Sequence, residues 1–395
     1  MSEIAIVGGT AVTPDEEIQD AVLLIDGRKI EAIGPSAEVT IPPDAARIDA
    51  SGCFVTPGFI DLHCHGAMGS DFMDGSLNDF ATVCDYHLAG GVTSLLATTA
   101  STELERLLST LALVREAQRQ RVSPAQILGA HIEGPYFAQE MRGCHLPEFV
   151  RDPERDEWER ILKYADVIGS MTIAPEIPGA LACIRAFAER GIVLSAGHTM
   201  ATDEEMAAGI EAGVTHSTHI YCAMSTTTKD GPNKVPGTIE AILARDDITT
   251  EVIADGIHLN RTLLDLTVRA KGVDRVCVVS DAMRGAGMPD GIYTFGPKDG
   301  QPAVVQDGRA VMPDESGFAS SCVTQNDCVR TMHQLVGLPL TDAVKMATSV
   351  PARIIHCDDC KGRLAPGMDA DVLVLDADLK PRTIVARGTV VQTSA

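Results

Sequence analysis

The sequence has no long apolar run. Although 45% of its 395 residues are hydrophobic, no window contains the about 18 consecutive apolar residues that a membrane-spanning helix needs. Its start, Met1-Ser2-Glu3, also lacks the basic region and following apolar stretch that mark a signal peptide. We therefore expect a cytoplasmic protein without a membrane span.

Basic residues are scarce. The chain has 32 lysines and arginines against 55 acidic residues, which gives a net charge of −23. Nucleic acids and anionic membrane surfaces attract basic patches, so this balance argues against both as partners. It does not exclude a small anionic substrate, because a few local cations can hold one.

Paired cysteines and repeats are also lacking. The 11 cysteines, an odd number, stand singly, which is typical of a protein in a reducing compartment. Only Cys357 and Cys360 form a Cys-x-x-Cys motif, and no second pair accompanies it, so we assign it no metal or redox role. No short repeat or low-complexity segment is present.

Two strand-rich ends flank a different middle. Near the start, two apolar runs meet across Asp26-Gly27, which is a tight-hairpin signal. Short apolar runs return after Asp371. We predict a small β-sandwich-like domain built from residues 1–56 and 364–395.

The middle, residues 57–363, alternates strand-like runs with amphipathic helical stretches. The predicted strands are Cys53–His65, Val92–Thr98, Ile127–Glu133, Ser170–Ala174, Val193–Gly197, Val214–His219, Glu251–Ala254 and Val276–Asp281. Helical patterns between them include Glu103–Gln120, Ala180–Arg190, Asp203–Glu211 and Arg261–Lys271. Eight successive strand–helix units predict a TIM-like (β/α)8 barrel. An irregular loop, 282–321, should then cover the site, followed by helices near Asn326–Val336 and Leu340–Ile355.

A His-x-His pair ends the first predicted barrel strand. Residues two apart in a strand face the same side, so His63 and His65 can point at one ion. Such a pair is weak evidence alone. Its weight depends on whether later strands supply partners.

Later strands do supply them. In a barrel the active site forms at the carboxyl ends of the strands. The polar residues at or just beyond those ends are His63, His65, Glu133, His198, His219, Asp255, His258 and Asp281. Imidazoles and carboxylates together suit zinc or a similar ion, and two ions about 3.5–4 Å apart could share a carboxylate. Asp281 could accept a proton from metal-bound water and return it to a leaving amine.

Six motifs occur in the same order as in a known family. They are PGFIDLHCHG (57–66), HIEGPYF (131–137), SAGHT (195–199), THIYCAMS (218–225), IADGIHL (253–259) and VSDAM (279–283), with a similar tail at 361–376. The chain thus resembles the N-acetylglucosamine-6-phosphate deacetylases of the metal-dependent amidohydrolase superfamily. The resemblance implies hydrolysis of the acetyl amide of N-acetylglucosamine-6-phosphate. It also implies a homodimer and one or two divalent ions per subunit, with zinc the first expectation and iron, manganese or cobalt as alternatives.

The resemblance assigns metal ligands. Glu133, His198 and His219 match the principal ligands. His63 and His65 match positions that hold a second ion in some members, with Glu133 bridging the two ions and Asp281 touching the second.

It also assigns residues to catalysis and substrate binding. Asp281 matches the general acid and base, His145 a histidine near the substrate carbonyl, and His258 a residue that contacts the sugar hydroxyls.

The segment after strand 6 departs from the family. Members usually read His-x-x-Asn-Ala-Met, and the Asn-Ala pair with a following arginine holds the phosphate. Here Cys222 replaces the asparagine, and Asp230 stands where the arginine is expected. The Ala223 N–H could still donate. Lys229, or Lys234, could supply a cation without the two-pronged geometry of arginine.

Two alternatives therefore stay open. One keeps the metal centre but acts as a deacylase or cyclic-amide hydrolase on another, unphosphorylated substrate. The other is a non-catalytic barrel used for binding.

Several nearby residues have plainer interpretations. We expect His131 and His216 to pack or to support the ligands, and Asp255 to fix its loop as a hydrogen-bond acceptor. Cys64 should pack away from the histidines, and Cys222 should be pocket wall rather than a nucleophile.

Overall fold

Eight parallel strands form the centre of the molecule. The structure, a computed structural model, describes residues 3–393. Residues 1–2 and 394–395, which belong to the predicted small domain, lie outside the described residues. Barrel strands 1 to 8 are Phe59–Cys64, Val92–Thr98, Gln126–Glu133, Ile168–Ile173, Val193–Ala196, Val214–Ser217, Thr250–Ile253 and Val276–Val279. The predicted TIM-like barrel is confirmed.

The strands close into a ring. Strands 1 to 6 form one sheet in chain order, and strands 7 and 8 pair with each other. The Ser217 N–H donates to Thr249 O at 2.9 Å, which joins strand 6 to strand 7. The Asp281 N–H donates to His63 O at 2.8 Å, which joins strand 8 to strand 1. The carboxyl ends of all eight strands therefore meet at one rim.

A helix follows each barrel strand. These helices are Leu77–Ala89, Leu104–Gln120, Arg155–Ile161, Ala180–Ala188, Asp203–Ala212, Thr238–Leu243, Arg261–Lys271 and Gln325–Arg330. The last continues as a π-helical turn, Thr331–Val336, and two short helices, Leu340–Lys345 and Ser349–Ile354, come after it. Start signals are visible in the sequence: the Thr202 hydroxyl accepts from the Glu205 N–H in a capping box. Within residues 3–393, no helix is both long and apolar enough to cross a bilayer.

The predicted first strand is in fact two strands. Phe54–Pro57 belongs to a separate sheet, and only Phe59–Cys64 enters the barrel. The break falls at Gly58, where a Cβ atom would lie 2.1 Å from Thr93 Oγ1. Only glycine allows this close approach, so the continuous apolar run hides a change of sheet.

Both ends of the chain build that separate sheet. Its order is Thr389–Thr393, Pro381–Ala386, Val372–Leu375, Phe54–Pro57, Ile4–Val12, Glu17–Asp26 and Lys29–Pro35, with Ala46–Asp49 also paired to Ile4–Val12. Buried side chains from both ends, such as Ile6, Leu23 and Val374, pack in one cluster. This agrees with the predicted strand-rich second unit. Its exact boundaries stay a prediction.

The predicted irregular loop is partly ordered into strands. Residues 283–321, which we call the excursion, contain the antiparallel strands Gly291–Phe295, Gln301–Gln306, Arg309–Val311 and Phe318–Ser321. Asp307-Gly308 forms a two-residue hairpin with φ of 51° and 73°, as a type I′ turn requires. The buried Arg284 anchors the excursion, because it pairs with Asp74 at 2.9 Å and donates to Thr294 O at 2.7 Å.

Candidate active site

Glu133 lies at the centre of a histidine cluster. It is the last residue of barrel strand 3 and is 2% exposed. Five imidazole Nε2 atoms lie within 3.3 Å of its carboxylate oxygens, those of His63, His65, His145, His198 and His219. His63 and His65 lie at the end of barrel strand 1, His145 in the loop after strand 3, and His198 and His219 just beyond strands 5 and 6, so closure of the barrel brings them together.

Asp281 forms the other side of the cluster. Its Oδ1 lies 3.3 Å from both His63 Nε2 and His65 Nε2. The residue adopts a left-handed conformation (φ 48°) just after barrel strand 8, and the Ser320 hydroxyl donates to Oδ1 at 3.0 Å. His63 and His65 are thus held between two carboxylates.

The hydrogen bond that the Nδ1 atom of an imidazole makes shows which ring nitrogen carries the proton. His198 Nδ1 donates to Met141 O at 2.7 Å, and His63 Nδ1 donates to Glu251 Oε2 at 3.1 Å. Both rings therefore present an Nε2 lone pair to the cluster, as a metal ligand must.

His145 has the opposite arrangement. The Ser101 N–H donates to its Nδ1 at 3.0 Å, so Nε2 carries the proton. Burial lowers the pKa of His145, which keeps the ring neutral. His145 is therefore a hydrogen-bond donor at the cluster rather than a ligand.

The electrostatics favour a cation. Burial alone would raise the pKa of Glu133, but the surrounding histidines hold that pKa well below its usual range. Burial would lower the pKa of His65, yet Asp281 and Glu133 raise it to about 9. The carboxylates therefore create a negative potential at the Nε2 atoms, which a proton or a metal ion would neutralise.

The donor spacing fits a divalent ion. Two ligands bonded at about 2.0–2.1 Å to a tetrahedral ion lie about 3.3 Å apart. The Nε2-to-oxygen distances here are 3.1–3.3 Å. Triads of donor atoms share one small volume in three neighbouring places of the cluster, His63–Glu133–His219, His63–His65–Asp281 and Glu133–His145–His198. The residues suit one ion or two adjacent ions.

A cavity of about 480 Å³ opens above the cluster. Eight of the predicted site residues line it, namely Glu133, His145, His198, His219, Cys222, Ala223, His258 and Asp281. His63 and His65 lie beneath it and are at most 1% exposed. The remaining wall is largely apolar, with Leu259, Leu263, Phe295 and Phe318.

Lys229 is the predicted site residue that the structure places elsewhere. It lies on an exposed hairpin, Thr228–Asp230 with Asn233–Val235, directly opposite Lys234. Among residues 3–393, no lysine or arginine lines the cavity. The segment that precedes the hairpin, Tyr221 to Ala223, does line the cavity.

Sequence reasoning missed Glu251. This buried residue of barrel strand 7 has Oε2 3.1 Å from His63 Nδ1 and Oε1 3.2 Å from His216 Nε2. Burial alone would raise the pKa of Glu251, but the two histidines hold it well below normal. A glutamate inside an otherwise apolar strand was the available signal.

The residues for which we predicted packing or supporting roles lie beside the proposed ligands and substrate contacts. His131 Nε2 contacts Thr172 Oγ1 at 2.7 Å, and burial lowers the pKa of His131 to about 3. Asp255 accepts the N–H of His258 at 2.8 Å and its Nδ1–H at 2.7 Å, which fixes that ring. Cys64 Sγ faces Leu96 O, away from the cluster.

Known proteins match this chain over nearly all of its length. The sequence profile described as the Amidohydrolase family matches residues 54–393. The chain is 31% identical to the N-acetylglucosamine-6-phosphate deacetylase of Bacillus subtilis (strain 168), over 99% of this chain and 98% of the relative. It is 33% identical to the N-acetylgalactosamine-6-phosphate deacetylase of Escherichia coli O157:H7, over 95% and 96% of the two chains.

A solved structure agrees in fold. A mutant N-acetyl-D-glucosamine-6-phosphate deacetylase from Mycobacterium smegmatis, in complex with N-acetyl-D-glucosamine-6-phosphate, superposes with a TM-score of 0.91. The two chains are 31% identical, and the match covers 100% of each. Since profile, relatives and fold agree across the barrel and the small sheet, the chain belongs to the amidohydrolase family, within its group of N-acetylglucosamine-6-phosphate deacetylases.

Proposed function

We propose that this protein hydrolyses the acetyl amide of an N-acetyl amino-sugar 6-phosphate, with N-acetylglucosamine-6-phosphate giving glucosamine-6-phosphate and acetate. The main supporting observation is the cluster of Glu133, histidines and Asp281 beneath a cavity large enough for a sugar. Relatives of this chain are named as deacetylases of such substrates. The relatives give no support to the cyclic-amide or non-catalytic alternatives.

The metal would be held by residues from five strand ends. Glu133, His198 and His219 would form one ligand set, because both histidines place Nε2 within 3.3 Å of Glu133 Oε1. His63, His65 and Asp281, with Glu133 shared, would form a second. A divalent ion bound there lowers the pKa of water and polarises the acetyl carbonyl.

Asp281 is the proposed proton carrier. Every hydrogen bond and ion pair that its carboxylate makes to residues 3–393 uses Oδ1, while the residue lines the cavity. This leaves Oδ2 free to take a proton from the attacking water and to return it to the leaving amine. Burial would raise the pKa of Asp281, but His63 and His65 hold it at about 2, so the carboxylate starts ionised.

His145 and His258 are proposed to orient the substrate. The Nε2–H of His145 lies 3.3 Å from Glu133 Oε2, so it can donate to an acetyl oxygen placed above the cluster. His258 is fixed through Nδ1 by Asp255, which leaves its Nε2 for a sugar hydroxyl. Cys222 and the Ala223 N–H complete this end of the cavity.

The phosphate contact needs a cation near the cavity. We propose Lys229, with Lys234 beside it, as the nearest cations on the chain that follows Cys222 and Ala223. A lysine offers a point charge without the paired donors of arginine, so it should favour the phosphate less strongly.

We further propose zinc as the metal, with iron, manganese or cobalt as alternatives, a homodimer and a cytoplasmic location. Imidazole and carboxylate donors suit zinc. All 11 cysteines are free thiols, as expected in a reducing compartment. The homodimer follows from the family resemblance, and light scattering on the purified protein would measure it.

The test is a substrate panel with free amine and acetate as products. The metal-loaded protein should hydrolyse N-acetylglucosamine-6-phosphate with a kcat/KM at least about tenfold above that of unphosphorylated N-acetylglucosamine. N-Acetylgalactosamine-6-phosphate, tested alongside, reports the preferred epimer. Equal and poor rates on the phosphorylated and unphosphorylated sugars would refute the sugar-phosphate assignment.

The lysine assignment has its own test. Lys229→Ala with Lys234→Ala should raise KM for the phosphorylated sugar and leave KM for the unphosphorylated sugar unchanged. Lys163→Ala, which removes another exposed lysine, is the control. An unchanged KM for the phosphorylated sugar would remove both lysines from the site.

A further inference from the structure

Three arginines converge at the rim opposite the active site. Arg28 lies in the hairpin turn after Glu17–Asp26, Arg387 lies in the turn after Pro381–Ala386, and Arg121 follows helix Leu104–Gln120 directly. Together they line a cavity of about 380 Å³ between the small sheet and the start of barrel strand 3. Gln118, Ser123, Gln126 and the carboxylate of Asp369 line the same cavity.

The three charges have no carboxylate partner among residues 3–393. The carboxylates nearby are engaged elsewhere, because Asp369 pairs with Lys29 at 2.8 Å and Asp371 pairs with Lys361 at 2.6 Å. The guanidinium of Arg387 reaches only two backbone oxygens, at 3.3 and 3.5 Å. Within residues 3–393, three arginines without an ion pair thus line one cavity, in a chain whose net charge is −23.

The arginines are close enough to repel one another. Burial lowers the pKa of Arg387, the charge of Asp371 raises it, and the charges of Arg121 and Arg28 lower it. Arg121 and Arg387 also adopt left-handed backbone conformations, with φ of 53° and 48°, where glycine would cost less. An anion between the guanidinium groups would replace this repulsion with attraction.

We propose that this cavity binds a small phosphate-bearing anion, either inorganic phosphate or a phosphate monoester, through the guanidinium groups of Arg28, Arg121 and Arg387. Guanidinium groups match phosphate oxygens with paired hydrogen bonds. The amide and hydroxyl side chains of Gln118, Ser123 and Gln126 suit a polar ester group, and the volume is that of a small-ligand site. A nucleic acid does not fit, because the strongly acidic molecule would repel it.

The site is separate from the catalytic cavity. Barrel strand 3 begins at Gln126 in the arginine cavity and ends at Glu133 in the metal cluster. Seven residue steps of about 3.3 Å separate them, which makes about 23 Å. A bound anion would link the small sheet to the base of the barrel, since Arg28 and Arg387 belong to the first and Arg121 to the second.

Calorimetric titration of the full-length, metal-loaded protein tests the proposal. Inorganic phosphate and glycerol 3-phosphate are the probes, at constant ionic strength, and Arg28→Gln with Arg121→Gln is the variant. We expect saturable binding of at least one probe to the wild-type protein. The dissociation constant should rise about tenfold or more in the double variant, because charged hydrogen bonds are lost. The kcat for deacetylation should not change.

Controls separate a binding site from a structural cluster. Arg47→Gln, which removes an exposed arginine of the same small sheet, should bind phosphate like the wild type. In phosphate-free buffer, the double variant should be at least as thermally stable as the wild type, since like charges are removed. A double variant with unchanged phosphate affinity, a destabilised double variant, or a wild-type protein without saturable binding would each overturn the proposal.

Discussion

At the scale of single residues, the two carboxylates of the centre differ in what surrounds them. Glu133 is enclosed by five imidazoles, whereas Asp281 keeps one oxygen towards the cavity. An enclosed carboxylate serves as a ligand, and one with a free oxygen can exchange protons with a substrate. This geometry supports the proposed roles, with Glu133 as a ligand and Asp281 as the proton carrier.

Asp281→Asn should separate proton transfer from metal binding. The amide cannot accept the proton from water, so kcat should fall by about two to four orders of magnitude, while the metal content stays near that of the wild type. Metal analysis and steady-state kinetics on the same preparation measure both. His198→Ala is the contrasting variant, because it should lose metal. Turnover like that of the wild type in Asp281→Asn would remove this residue from the chemistry.

Glu251→Gln should weaken the second metal site. Glu251 accepts hydrogen bonds from His63 and His216, and a glutamine oxygen can serve only one of them. His63 would then lose the partner that keeps its Nε2 free of a proton. We expect the weaker-bound ion to bind about tenfold to hundredfold less tightly in a chelator competition. Glu211→Gln, at an exposed helix position, is the control, and identical metal affinity in both variants would contradict the role of Glu251.

At the scale of elements, the excursion builds the wall of the active site. The Phe295 ring lies 4.8 Å from the His65 ring, and the Phe318 ring lies 4.0 Å from the His258 ring. Ser320, at the end of the last excursion strand, reaches Asp281. A segment outside the barrel thus contacts both Asp281, the proposed base, and the histidines beside the cavity.

Ser320→Ala should reduce kcat about tenfold without loss of metal. The hydroxyl donates to Asp281 Oδ1, and its removal leaves that carboxylate less firmly oriented. KM should change little, because the sugar contacts remain. Ser316→Ala lies in the same excursion with its hydroxyl on Asp314, and it is the matched control. Equal kinetics in the two variants would show that Ser320 does not position the base.

Helix Arg261–Lys271 ends in a lysine that should make stability depend on pH. Lys271 is 1% exposed and donates to Ile242 O at 2.9 Å, and burial lowers its pKa from 10.5 to about 8. Between these two values the unfolded chain binds a proton that the folded chain does not, so stability from this group rises with pH. The unfolding midpoint of the wild type, relative to Lys271→Met, should therefore increase from pH 8 to pH 10. The difference in unfolding midpoint between the wild type and the control variant Lys163→Met should not increase over this pH range. If the difference between the wild type and Lys271→Met decreased from pH 8 to pH 10, the proposed effect of Lys271 would be wrong.

The barrel elements were predictable because their physical signals are local. Several barrel strands, such as Val276–Val279, are buried apolar runs, and glycines such as Gly213 end the preceding helix in a conformation that other residues avoid. The excursion lacks such runs, since its strands alternate and Ile292 is 76% exposed. It contains three Asp-Gly turn signals, at 290–291, 299–300 and 307–308, and the last of them forms the tight hairpin.

Contacts between distant residues were less predictable. The partners Glu251 and His63 are 188 positions apart and meet only because the ring of strands closes. The location of Lys229 was also hidden, because a short hairpin carries it away from a segment that does line the cavity.

At the scale of the whole molecule, charge opposes an anionic substrate. The net charge is −23, and the cavity wall described here contains acidic groups but no lysine or arginine. Long-range repulsion should therefore slow the encounter with a sugar phosphate. Salt would screen this repulsion, because the Debye length falls from about 30 Å at 0.01 M to about 8 Å at 0.15 M.

Added salt should accordingly raise kcat/KM for N-acetylglucosamine-6-phosphate. We expect a severalfold rise between low and physiological ionic strength, while kcat/KM for the unphosphorylated sugar stays nearly constant. The same potassium chloride series on both substrates, at fixed metal concentration, measures the difference. A fall in kcat/KM for the phosphorylated sugar would show instead that local cations steer it to the site.

The position of Phe54–Pro57 between Ile4–Val12 and Val372–Leu375 also sets an order of events on the ribosome. In the nascent chain, Phe54–Pro57 can pair with Ile4–Val12 early. Its other partner, Val372–Leu375, emerges only after every barrel strand has been translated. Until then an unpaired edge stays exposed and can attract other nascent chains. Translation speed across the barrel therefore determines how long each newly made copy needs protection by chaperones.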